Sequence, residues 1–172
     1  MNVPIVVTID WTDDEISRAY GAYIRTSMLW RRMRAVWWMI GTALLVMGVI
    51  VFRRPFVLPA AMMIGAGLSL LAAPFRHRRR VLRAAVQNFP DRNRVNTCTL
   101  SRDRYAVRND VSLSEVLWTA FQRVLRTPEG FLLHRTEMHF SWLPLDGFSS
   151  EDDVERFVSF ARSHLAEYQE TT

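Results

Sequence analysis

The sequence predicts a membrane α-helical hairpin joined to an α+β cytoplasmic domain, in which a small antiparallel sheet is closed by a C-terminal helix. Three observations carry that prediction. Two consecutive uncharged stretches, Ala35 to Phe52 and Phe56 to Phe75, are each long enough to cross a bilayer. From Val95 onward short apolar runs alternate with turn residues, as in an antiparallel meander. After Ser150 apolar residues recur at helical spacing.

Charge placement sharpens the reading. All 22 basic residues of the 172 are arginine, against 17 acids for a net charge of +5. Without lysine there is no Schiff-base nucleophile, and the lone Cys98 excludes an intramolecular disulfide framework and a cysteine-rich zinc site. Residues 1–34 carry +1, 35–75 carry +2, 76–94 carry +6 and 95–172 carry −4. The basicity therefore flanks the apolar stretch instead of coating the folded domain, which argues against a nucleic-acid partner. These four segments are the expected domains: an N-terminal strand and amphipathic helix, a two-span hairpin, a basic juxtamembrane segment, and a cytoplasmic meander with its C-terminal helix.

Val3 to Ile9 is rich in β-branched residues and predicts a strand. Thr12-Asp13-Asp14-Glu15 is a capping box that starts a helix at Asp13, with the acids compensating the helix dipole. The first span has 18 residues and reaches ~27 Å as a helix, close to the hydrocarbon thickness. In the second, Pro55 stands where a helix begins and Pro74 where one ends, and Arg53-Arg54-Pro55 makes a tight connector.

Arginine counts at the span ends put both termini in the cytoplasm, for a multi-pass protein of the inner (plasma) membrane. Arg31, Arg32, Arg34, Arg76, Arg78, Arg79, Arg80 and Arg83 are the residues expected to meet lipid headgroups and set topology. Trp30, Trp37 and Trp38 are expected to anchor the first span at the same edge. Ala61, Gly65, Ser69 and Ala73 form a small-residue stripe on the second span, expected to pack against the Gly41 and Gly48 side of the first. A homodimer through that stripe is the alternative.

The expected strands of the meander are Val95 to Leu100, Tyr105 to Arg108, Phe121 to Thr127, Phe131 to Arg135 and Met138 to Leu143, with Val116 to Ala120 ambiguous. Ser150 caps the last helix, whose apolar face is Val154, Phe157, Val158, Ala161, Leu165 and Tyr168. The core should include Leu100, Trp118, Val124, Leu132, Phe140, Trp142 and Phe157. The TLSRDRYAV stretch, Val116-Leu117-Trp118, the VLRTPEGFLL hairpin and the turn Leu143-Pro144-Leu145-Asp146-Gly147-Phe148 resemble the YcxB-like proteins of bacteria. That resemblance implies a cytoplasmic pleckstrin-homology-like barrel and no catalytic residues. In the family the turn carries basic residues before an aromatic; here Leu145, Asp146 and Gly147 stand there.

No phosphate loop, nucleophile elbow or zincin motif is present, so no catalytic, cofactor or metal residue is assigned. Cys98 reads as a buried small hydrophobe, and His134 and His139 as exposed strand residues. The expected function is a non-enzymatic membrane protein that uses the bilayer and a cytoplasmic protein partner, as a binding, scaffold or regulatory module. Two alternatives stand beside it: an anionic-lipid or membrane-surface sensor, and a membrane-tethered enzyme or metal-dependent domain using His134 and His139.

Overall fold

A computed structural model describes residues 4–52, 56–165 and 167–171. Val3 and the Arg53-Arg54-Pro55 connector lie outside the described residues. The chain divides into two compact units, Met1–Tyr23 with Ala85–Thr172, and Ile24–Ala84.

The first unit contains two four-stranded sheets. Strands β1 (Ile5–Asp10), β2 (Val95–Leu100), β3 (Arg104–Arg108) and β4 (Leu113–Leu117) follow one another in an antiparallel meander. In the other sheet the order is β7 (Phe140–Pro144), β6 (Gly130–His134), β5 (Arg123–Thr127) and β8 (Tyr168–Glu170), with only β5 and β8 parallel. Sidedness follows the two-residue period: Ile5, Val7 and Ile9 of β1 are buried, as are Asn96, Cys98 and Leu100 of β2. All five residues of β6 are buried. Between the sheets' strands, α4 (Glu151–His164) contributes Phe157, Val158, Phe160 and Ala161 to the core.

Local chemistry places the helix ends. Thr12 Oγ1 accepts from the Glu15 backbone N–H at 3.2 Å, and α1 (Asp13–Thr26) starts at the expected residue. Ser150 accepts from Asp153 N–H at 3.2 Å to start α4. Asn93, at φ 61°, turns the chain into β2, and the Trp11 and Asn93 main chains exchange with their neighbours across this turn. A two-bond pair from Arg92 to Asp13, at 2.6 and 2.8 Å, holds the same corner.

The second unit is built on α2 (Met28–Val51) and the greater part of α3 (Val57–Asn88). Both are long and apolar enough to cross a membrane, and only 11% and 17% of their apolar windows are buried, unlike core helices of a globular protein. Gly41, Gly48, Ala60, Gly67 and Ala73 are the buried residues of this pair.

Several expectations about the elements and the core need correction. Pro74 does not end the second helix, which runs on to Asn88; Arg76 donates to the Ser69 carbonyl and hydroxyl at 2.8 and 2.9 Å, adding bonds in the turn before the proline. Tyr168 is not on α4, because the helix stops at His164 and the chain turns to lay Tyr168 beside Val124. Ala61, Gly65 and Ser69 are exposed, and only Ala73 of the stripe is buried. Phe140 is half-buried at the core's margin, while the other six predicted core residues are buried.

Candidate functional site

The sheet-and-helix unit encloses a cleft of about 350 Å³. Its walls come from Ile9 and Asn96 of the first sheet, Ser141 and Trp142 of β7, and the aromatic pair Trp11 and Phe89, whose ring centroids lie 4.5 Å apart. Trp11 is 8% exposed and Asn96 4%, yet Trp11 Nε1 and Asn96 Oδ1 have no hydrogen-bond partner. Leaving such groups buried and unpaired costs about 1–3 kcal/mol each. The other side of Asn96 is fixed, since its Nδ2 donates to Asp91 at 3.1 Å, and Asp91 also accepts from Asn109 at 3.2 Å. Trp11 and Asn96 thus stand in the cleft's lining with one indole donor and one amide acceptor unpaired, among Asp91, Arg135 and His139 as well as aromatic rings.

Cys98 and Tyr105 line the same cleft, their Sγ and Oη 3.5 Å apart. Burial pushes the Cys98 thiol up to about 11, and burial likewise pushes the Tyr105 phenol well above its ordinary value. A thiol that stays protonated at neutral pH is a poor nucleophile. We expect Cys98 to resist iodoacetamide at pH 8 in the native protein and to react fully in denaturant; rapid native alkylation would contradict this assignment.

Glu15 is 5% exposed and serves more than the helix dipole. Its carboxylate accepts from the Trp142 indole and from Arg18, and Arg18 also reaches Asp146 at 3.1 Å. The unusual acid in the Leu143 to Phe148 turn therefore has a basic partner on α1. Glu15→Leu is expected to cost about 2 kcal/mol by leaving the Trp142 N–H unpaired, measured as a lower melting temperature. Gly147 meets β1 closely: a Cβ there would collide with the Thr8 carbonyl.

His134 is 3% exposed, contrary to its expected surface position, because both faces of β6 are covered. Tyr23 and Phe140 rings lie 6.1 and 6.2 Å from it, and neither ring nitrogen has a partner. Burial, with Arg123 nearby, pulls the imidazole below its ordinary value. The unfolded chain then binds a proton that the folded chain refuses, so stability falls as pH drops below about 6.5. His134→Phe should flatten the melting temperature between pH 7 and 5.5. His139 is exposed and bonds Thr136 at 3.0 Å, and among the described residues no three His, Cys, Asp or Glu side chains cluster as metal ligands.

In the second unit, Gly41 and Gly48 face α3 as expected, opposite Gly67 and Leu71, and Ala60 and Ile64 respectively. Arg31, Arg32, Arg34, Arg76, Arg78, Arg79, Arg80 and Arg83 are all exposed, and the sequence had no signal for the pairing of Arg76 with Ser69. Trp30 and Trp37 are half-buried, and Trp38 is exposed beneath the Arg34 guanidinium at 5.8 Å.

These features define a protein with two long apolar helices and a sheet-rich C-terminal region of small sheets with a helix near its end. Residues 100–161 match the family model described as YcxB-like protein, so the C-terminal region carries a YcxB-like domain. The match runs from the end of β2 through most of α4 and covers just over a third of the chain. No curated protein and no solved structure matches the chain.

Proposed function

We propose that this is an integral membrane protein of the bacterial plasma membrane, with two spans, both termini in the cytoplasm, and a pleckstrin-homology-like domain that binds a protein partner without catalysis. The anchoring reading is supported by two apolar helices whose surfaces are largely uncovered. Strands in the order β1 to β4 and then β5 to β7, followed by a helix, support the pleckstrin-homology-like reading. Binding rests on one observation, the unpaired and buried Trp11 Nε1 and Asn96 Oδ1 of two residues that line the cleft. A main-chain peptide group supplies a carbonyl for the first and an N–H for the second.

Alkaline extraction tests the anchor: the chain should remain in the pellet, and release into the soluble fraction would overturn it. A cysteine introduced at Pro55 should react with an impermeant maleimide in intact cells. Binding is tested with N-acetylated tripeptide amides on the detergent-solubilised full chain. They are expected to raise its melting temperature, with Trp11→Phe weakening the effect about five- to tenfold through the lost hydrogen bond. No stabilisation by any peptide, or equal stabilisation of the variant, would remove the cleft as the binding site.

A further inference from the structure

Ile24–Ala84 contains eleven arginines and no acidic residue, so no charge within this unit can neutralise it. The seventeen acids all lie in the other unit, which holds the remaining eleven arginines. At the arginine-rich end of α2 and α3, residues of both helices line a second cavity, of about 290 Å³. Arg31 and Arg34 enter its wall from α2 and Arg78 from α3, while Trp30, Trp37 and Phe75 supply aromatic surface. The Trp30 ring lies 5.1 Å from His77, and Phe75, in the same lining, is 64% exposed.

We propose that this cavity holds the phosphate headgroup of an anionic phospholipid, with an acyl chain continuing along the apolar surface of the helix pair; the inference rests on the membrane reading above. Three guanidiniums suit a phosphate, whose oxygens accept paired N–H donors. Indole rings suit the boundary between headgroup and chain. The site differs from a diffuse basic patch, because Arg79, Arg80 and Arg83 carry the same charge and line no part of the cavity. A zwitterionic lipid brings its own cation to the same place and loses that complementarity.

The test uses the full chain reconstituted in vesicles of phosphatidylcholine, with brominated phosphatidylglycerol or brominated phosphatidylcholine as the tryptophan quencher. At equal mole fraction the brominated anionic lipid is expected to quench more strongly. The Arg34→Gln/Arg78→Gln double variant should lower the anionic preference at least about fivefold, and Arg79→Gln/Arg80→Gln should leave most of it in place. An equal fall in both double variants would show diffuse attraction and overturn the site. Loss of the preference on adding inorganic phosphate at constant ionic strength would assign the cavity to a soluble phosphate and overturn the lipid. Failure of the chain to float with phosphatidylcholine vesicles would sink the membrane reading itself; flotation without anionic preference would sink only the site.

Discussion

Phe157→Ala is expected to destabilise the sheet-and-helix unit by about 3–5 kcal/mol, the largest effect of any single truncation considered for this unit. Phe157 is fully buried, and its ring meets Phe131 of β6 at 4.9 Å, Phe148 at 6.0 Å and Trp118 at 6.2 Å. Those three rings come from a strand, the turn before α4 and the short 3-10 segment Trp118–Ala120, so one side chain ties α4 to three separate places. Trp118 cannot simply fall into the space, because its indole N–H is committed to the Ser101 carbonyl at 2.9 Å. The cavity left behind should therefore stay largely open. Near-ultraviolet circular dichroism of the detergent-solubilised chain during heating measures the effect, with a fall in melting temperature of at least about 10 °C expected. Phe157→Leu keeps most of the volume and should lose less than half as much. A change below about 1 kcal/mol for the alanine variant would mean that α4 is held elsewhere.

The elements that could be read from sequence are those with a local physical cause. Thr12 and Ser150 announce their helices through side-chain caps, and Val95 to Leu100 announces a strand through β-branched alternation, with the bounds of β2 as expected. Elements set by distant partners were not legible. Strand β1 pairs along its whole length with β2, from Ile5 opposite Leu100 to Asp10 opposite Val95, across some 84 intervening residues. Nothing within IVVTID specifies that partner, so the N-terminal strand reads as separate when it is part of a sheet. Strand β4 escaped because four of its five residues are exposed, which erases the inward and outward alternation. His134 misled in the opposite sense: β6 is covered on both faces, and a fully buried strand has no polar side to reveal. The cleft was invisible for a related reason. Its two unpaired atoms belong to residues 85 positions apart, Trp11 and Asn96, and each alone reads as ordinary punctuation of a turn or a strand.

Gly67→Leu is expected to separate α2 from α3, whereas Gly65→Leu should leave their spacing unchanged. A Cβ on Gly67 would stand 2.8 Å from the Gly41 carbonyl and 2.8 Å from Leu45, and a Cβ on Gly65 would meet nothing within 4 Å. Backbone cannot yield as a flexible side chain can, so the helices must part, at a cost of about 3 kcal/mol. Spin labels at the exposed Met47 and Met62 report the spacing: their distance distribution should lengthen and broaden in the Gly67 variant only. The contrast explains why the stripe Ala61, Gly65, Ser69 and Ala73 was a poor guide to this contact. A repeat of four residues drifts around a helix of 3.6 residues per turn, while a gently supercoiled antiparallel pair keeps a repeat near seven in contact. Gly41 and Gly48 are seven apart and face Gly67 and Ala60, also seven apart, so the contact line carries the same period on both helices. If Gly65→Leu also broadened the distribution, the exposed stripe would be engaged by a second copy of the chain, and the interhelical contact seen within one chain would not be the whole of the packing.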